Sequence, residues 1–308
     1  MTVQDPRAFL RLRETTLPER PVGLLGQSRR VEESKRAAPK SSFRRTLYGG
    51  GLAHVEECYI APTSVSPSGY ESRYQVVLPY HGLFTYMVGS RSWMIDSNHI
   101  LLVSQGWEFT EDHPHPGLGH GAIVISIPAE CFQEACGGHP TKTAAFAAGS
   151  RAPTVALRLL THQMLRSNGN AHNPLWNDEW IVQAMEEAVG AHSPRRAHSS
   201  KLVNRAKEVL HASLAERLSL REVAEQMGVT PIYLTQEFTR TEGMPLYRYQ
   251  TYLRLNKALL ELPYCEDITG LALDLGFSSH SHFTSVFRNT FGITPSAYRD
   301  GGALLSRC

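Results

Sequence analysis

The chain repeats itself once towards its carboxy-terminal end, and that repeat limits what its last hundred residues can fold into. "GVTPIYLTQEFTRTEGMPLYRY", residues 228–249, is echoed by "GFSSHSHFTSVFRNTFGITPSAYR", residues 276–299. Leu220, Val223, Ala224, Met227, Gly228 and Val229 match Ile268, Leu271, Ala272, Leu275, Gly276 and Phe277 at an offset of 48. Past the turn the offset becomes 49: Leu234, Phe238, Gly243 and Tyr249 match Phe283, Phe287, Gly292 and Tyr298. One extra residue has entered just after the second turn.

Each copy reads as a helix-turn-helix. Leu220, Val223, Ala224 and Met227 stand at i, i+3, i+4 and i+7, the spacing of one buried helical stripe. Gly228 and Gly276 suit a left-handed C-terminal position, where a Cβ would clash. Val229 or Phe277 plugs the corner. Thr230 or Ser278 is placed to cap the next helix, and Pro231 suits a first turn. The second helix buries Leu234 and Phe238 in one copy, and Phe283, Val286 and Phe287 in the other. Gly243 and Gly292 end those helices.

The opposite faces stay polar, with Thr235 and Gln236 in one copy and His280, Ser281, Thr284 and Ser285 in the other. Such a face is either solvated or reads base edges in a DNA major groove. Two tandem units favour DNA, since two recognition helices can enter successive grooves. Charge does not decide it: residues 201–300 hold eleven Lys/Arg against eleven Asp/Glu, whereas a DNA-binding face wants a basic excess.

"SLREVAEQMGVTPIYLTQEFTRTEGMPLYRY", "RLNKALLEL" and "DITGLALDLGFSSHSHFTSVFRNTFGITPSAYR" resemble the DNA-binding domain of the AraC/XylS family of transcriptional regulators. The resemblance implies seven helices, with a long one near residues 245–262 joining the two units. It implies promoter binding, usually with activation through RNA polymerase. Carried over by position, the base-facing residues are Ile232, Thr235 and Gln236, then His280, Ser281, Thr284 and Ser285, with Arg288 on phosphate. The family often has Arg where this chain has Gln236, and Gln suits adenine rather than guanine.

Ahead of this domain, residues 191–200, "AHSPRRAHSS", read as a linker. Residues 46–190 read as a separate domain. Short runs rich in Val, Ile, Tyr, Phe and Leu between residues 47 and 128 are spaced as strands of an all-β barrel or sandwich. Residues 153–167 and 174–190 then carry helical apolar periodicity. The stretch "LPYHGLFTYMVGSRSWMIDSNHILLVSQGWEFTEDHPHPGLGHGAIVISI" resembles the cupin-like sensor domain of the same family. That implies a small β-barrel that binds an unknown small-molecule effector, followed by helices that make a homodimer. The expected fold class is therefore α+β in two domains, a cupin-like β-barrel with dimerisation helices and an all-α domain of two helix-turn-helix units.

Residues 1–45 hold eleven Lys/Arg against five Asp/Glu and read as a basic flexible tail; residues 301–308 form a short second tail. No run of about 18 apolar residues predicts a membrane span, and the start carries no signal-peptide pattern. Five scattered cysteines fit a reducing compartment. The expectation is a cytoplasmic protein.

Within the first domain, period-two alternation puts Tyr80, Phe84 and Tyr86 on one side and His81 on the other. These four either pack the barrel or line an effector pocket. "HPHPGLGH" clusters His113, His115 and His120, and neutral imidazoles suit several transition metals. The Glu that completes a cupin metal set is missing, and two prolines break the strand. No metal or other cofactor is expected, and no nucleophile-plus-base pattern marks an enzyme. The alternative is a cupin-type metal-binding protein or enzyme with a structural helical appendix.

Overall fold

The computed structural model describes residues 41–62, 68–114, 118–135, 149–167, 174–189 and 200–301. Most of the basic tail, nearly all of the linker, His115 and the last seven residues lie outside them.

The amino-terminal part is two sheets. The strands are β1 (Phe43–Gly49), β2 (His54–Ile60), β3 (Ser68–Tyr70), β4 (Tyr74–His81), β5 (Leu83–Val88), β6 (Arg91–Asp96), β7 (Ile100–Val103), β8 (Glu108–Asp112), β9 (His120–Ile127) and β10 (Gly149–Arg151). Ladders order them β1-β2-β9-β4-β7-β10 and β3-β8-β5-β6, antiparallel throughout. The expected barrel is, among the described residues, a pair of sheets. β1 takes in Phe43, Arg44 and Arg45, at the end of the expected tail.

The larger sheet has two different faces because its strands alternate. One face, with Cys58, Val77, Leu101, Val103, Ala122 and Val124, packs on Phe84, Tyr86, Trp93 and Ile95 of the smaller sheet. The other, with Val55, Val76, Leu78, Tyr80, Ile123 and Ile125, packs on helices α2 (Val155–Ser167) and α3 (Pro174–Val189). A short α1 (Ala129–Ala135) adds Phe132 to that core.

This division separates residues that alternation alone had put together. Tyr80 lies on the helix-covered face, whereas Phe84 and Tyr86 lie between the sheets. The ladder slips between Pro79 and His81, and Gly82 turns the chain at φ +79°. A Cβ on Gly82 would stand 2.2 Å from the Gly119 carbonyl, so the corner requires glycine. Each side chain past that corner changes face.

The carboxy-terminal part has seven α-helices among the described residues: α4 (Lys201–Ala212), α5 (Leu220–Gln226), α6 (Pro231–Glu242), α7 (Leu246–Glu261), α8 (Ile268–Asp274), α9 (His280–Phe291) and α10 (Pro295–Arg299). Helix α7 joins the halves. Its Tyr249 and Leu253 enter the first unit's core with Val223, Leu234 and Phe238. Its Leu255, Ala258 and Leu259 enter the second core with Leu271, Phe283 and Phe287. Arg254 ties the turns together, donating to the carbonyls of Leu214 (2.9 Å), Glu216 (2.6 Å) and Gly276 (3.0 Å).

Helix α2 is enclosed within the chain. Leu157, Met164 and Leu165 face the sheet, while Leu159 joins the second helix-turn-helix core. Arg166 donates to the Tyr298 carbonyl at 2.9 Å. On α3, Leu175 and Val182 remain exposed two turns apart. No helix among the described residues is long and apolar enough to cross a membrane.

Candidate nucleic-acid interface

The sequence dictates both helix starts. In the first unit Ser219 and Glu222 form a reciprocal capping box at α5. Gly228 turns at φ +66°, and the Thr230 hydroxyl accepts from the Tyr233 N–H at 3.2 Å. In the second, Gly276 turns at φ +82°. Ser279, rather than the expected Ser278, caps α9, accepting from the His282 N–H at 3.1 Å. The extra residue of the second copy sits at this cap. It frees Ser278 to pair with His282 Nδ1 at 2.9 Å.

Helix α6 buries Leu234, Phe238 and Glu242 and turns its other face outward. Ile232 is 72% exposed, and Gln236 is exposed beside it. Thr235 is half-buried and donates its hydroxyl to the Pro231 carbonyl at 2.9 Å, so only its lone pairs and methyl are left for a base. Tyr233, which sequence reasoning passed over, is also exposed. Its place outside the Leu234–Phe238 stripe was the available signal.

Helix α9 buries Phe283, Phe287 and Phe291. His280, Ser281, Ser285 and Arg288 are exposed, and Thr284 is half-buried. The His280 ring nitrogens lie 3.4 Å from Thr269 Oγ1 and 3.3 Å from Thr284 Oγ1, which fixes the ring against two neighbours. Arg288 makes no ion pair among the described residues. The two polar stripes therefore carry hydroxyl, amide, imidazole and guanidinium groups, the donors and acceptors that base edges and phosphates take.

A buried polar cluster, with no sequence signal of its own, joins this domain to the sheets. The turn between β6 and β7 sends Asp96, Asn98 and His99 into α4, α6 and α7. His211 Nε2 lies 2.9 Å from Asp96 Oδ2, and the Tyr249 hydroxyl donates to that same oxygen. His99 Nε2 lies 3.1 Å from Glu242 Oε2, and Lys207 pairs with Glu242 Oε1 at 2.5 Å. Asn98 donates to the Tyr249 carbonyl at 3.2 Å, and Asn256 donates to the Ser97 carbonyl at 3.0 Å. Burial works to raise the Asp96 and Glu242 carboxyls, yet both sit below their ordinary values. The charge of His99 and hydrogen bonds from His211 and His99 hold Asp96 well down, and Lys207 with His99 holds Glu242 at about 2.

The other predicted residues are dispersed. The Tyr80 hydroxyl donates to buried Glu57 at 2.8 Å. His81 stacks on Tyr59, and burial pushes it down to about 4. Phe84 stacks on His120 at 4.0 Å. His113 Nε2 and His120 Nδ1 are 2.8 Å apart, so each occupies the other's ring nitrogen. Among the described residues no three His, Cys, Asp or Glu side chains are arranged to hold a metal.

Two helix-turn-helix units in tandem, sharing one long helix, define a class of DNA-binding domain. Residues 223–301 match the family profile described as "Helix-turn-helix domain". An uncharacterized HTH-type transcriptional regulator of Staphylococcus aureus (strain COL) is 28% identical over 137 residues, 42% of this chain and 18% of the relative. The regulatory protein PocR of Salmonella typhimurium is 33% identical over 103 residues, 33% of this chain and 34% of the relative. The crystal structure of a transcriptional regulator (AraC-type DNA-binding domain-containing proteins) from Chromobacterium violaceum is 33% identical. It covers 34% of this chain and 96% of that chain, with a TM-score of 0.32. Residues 223–301 thus form a helix-turn-helix domain, similar in sequence to those of these regulators. The chain spans about a fifth to a third of the length of these two curated relatives.

Proposed function

We propose that the chain is a sequence-specific DNA-binding transcriptional regulator, an effector-responsive activator acting from the cytoplasm. The observation that carries this reading is the pair of exposed polar stripes on α6 and α9, each held by a capped, glycine-turned unit on the shared α7. In this reading Ile232, Thr235 and Gln236 and then His280, Ser281, Thr284 and Ser285 read bases, while Arg288 holds phosphate. Phosphate contacts supply affinity and base contacts supply sequence.

The amino-terminal sheets serve as the effector domain. Asp96, Asn98 and His99 couple them to the first unit, because any shift of the β6–β7 turn moves the partners of Lys207, Glu242 and Tyr249. A homodimer forms through α3, whose exposed Leu175 and Val182 favour that face. Transcription is raised by contact with RNA polymerase.

The test is selection of genomic DNA fragments by the purified full-length protein, sequenced at two salt concentrations. Enrichment of one motif with half-sites a helical turn apart, persisting at the higher salt, is the expected result. Binding that is motif-free and vanishes with salt contradicts the reading.

A further inference from the structure

The space between the two sheets holds more chemistry than packing requires. Tyr86 is paired in register with Glu111 on one side and Trp93 on the other, so all three share a face. That face is the inner one, because Tyr86 and Trp93 pack on Cys58 and Val77 of the opposite sheet. Glu71 reaches the same space from the edge. Its backbone pairs with Gly106 and Trp107, and Gln75 donates to its carboxylate at 2.6 Å. Phe109 stacks on Tyr86 at 5.0 Å.

Two facts show that the site is incomplete. Tyr86 is 3% exposed and Trp93 5%, yet the Tyr86 hydroxyl and the Trp93 indole N–H have no hydrogen-bond partner among the described residues. Leaving such groups buried and unpaired costs their full desolvation, a cost that a bound partner removes. The Glu71 and Glu111 charges also act on the Tyr86 hydroxyl, and that of Glu71 acts on Glu111. Arg44, in register with Cys58 of that face, pairs with Glu56 at 3.2 Å and is shared with Glu71 and Glu111, and His120 Nε2 lies 3.8 Å from Glu111, so three carboxylates surround one guanidinium. Burial above all, and for Glu111 also the Glu71 charge, pushes both carboxyls up to about 7 against the opposing pull of Arg44. A ligand bringing positive charge would relieve that strain. A ligand bringing negative charge would add to it.

We propose that this inner face binds a small organic ammonium ion carrying an oxygen acceptor, with Glu71 and Glu111 as counter-charges. The acceptor takes the Trp93 N–H, the Tyr86 hydroxyl orients the polar end, and the Phe109 and Tyr86 rings cover the carbon skeleton. Cation–aromatic attraction adds to the charge term. This assignment rests on the reading of the sheets as the effector domain and names the chemical class of the effector.

The experiment uses the full chain without DNA. Trp fluorescence and calorimetry follow titration with tyramine and with ethanolamine, and then with their carboxylate counterparts 4-hydroxyphenylacetate and glycolate. At least one ammonium probe is expected to bind tenfold or more tightly than its carboxylate counterpart. Glu71→Gln and Glu111→Gln are expected to lose at least tenfold of that affinity. Tyr86→Phe is expected to bind more weakly while unfolding at the same or a higher temperature, since it removes a buried unpaired hydroxyl. The site is overturned if neither ammonium binds up to about 10 mM, if the carboxylates bind as tightly, or if both Gln variants bind undiminished. Fragment selection without ligand tests the regulator reading separately. Ammonium binding without any DNA motif would sink that reading and leave this site standing, and the reverse result would sink the site alone.

Discussion

His99 and Glu242 lie 143 residues apart in the chain and meet at 3.1 Å in the buried contact between the sheets and the first helix-turn-helix unit. Lys207 closes on the other oxygen of Glu242, and Asp96 takes the far nitrogen of His99 at 2.9 Å. A buried charge that loses one partner leaves the others uncompensated, which costs about 3–5 kcal/mol. Glu242→Gln is therefore expected to destabilise the chain by that amount in denaturant titration. Glu242→Gln combined with Lys207→Met is expected to recover part of the loss. A single variant within about 1 kcal/mol of wild type, on the scale of exposed pairs, would show that the contact is solvated.

Acid acts on this fold through buried histidines. Burial, helped by the Arg158 charge, pushes His162 on α2 down to about 3 from an ordinary 6.5. The unfolded chain takes up that proton below pH 6.5 and the folded chain does not, so the contribution of neutral His162 is full above pH 6.5 and is lost as pH falls towards 3. His162→Met removes the linkage. Its stability relative to wild type is expected to rise by about 1.4 kcal/mol per pH unit between pH 6 and pH 4. A difference that stays flat across that range would mean that His162 titrates normally.

The two turn glycines differ in what surrounds them. Both adopt positive φ, 66° at Gly228 and 82° at Gly276. A Cβ on Gly228 meets nothing within 4 Å, whereas one on Gly276 would stand 2.6 Å from the Ala215 carbonyl and 2.7 Å from Arg254 Nη2. Gly228→Ala is expected to cost about 1–2 kcal/mol, the conformational term alone. Gly276→Ala is expected to cost clearly more, because it also displaces the arginine that ties the turns together. Equal melting temperatures for the two variants would refute this ordering.

Arg288 is exposed on the same helix as His280, Ser281 and Ser285 and is assigned to phosphate. Arg288→Ala is expected to weaken binding to all DNA sequences alike and to reduce the slope of log affinity against log salt by about 1. Selective weakening at one base position, with an unchanged slope, would instead make Arg288 a base-reading residue.

The helical half was largely legible because its signals are local. Apolar stripes, glycine turns and cap residues each fall within a few residues of what they specify, and the repeat showed them twice. The cap at Ser279 was misplaced by one position, since an inserted serine beside another serine offers two equivalent oxygens. The sheets were legible as strands but not as faces. Alternation assigns sides only while the ladder is regular, and the slip at Pro79–His81 with the turn at Gly82 exchanged them. The domain contact was not legible at all. Asp96, Asn98 and His99 read locally as turn residues, and their partners lie more than a hundred residues away.

In the proposed function the polar faces of α6 and α9 read sequence together. The most direct measurement is the affinity of the Thr235→Ala, Ser281→Ala double variant for the fragment selected by wild type, at fixed salt and with melting temperature checked. At least a tenfold loss for that fragment is expected, with little change for unrelated DNA and an unchanged fold. Undiminished affinity for the selected fragment in a folded variant would contradict it.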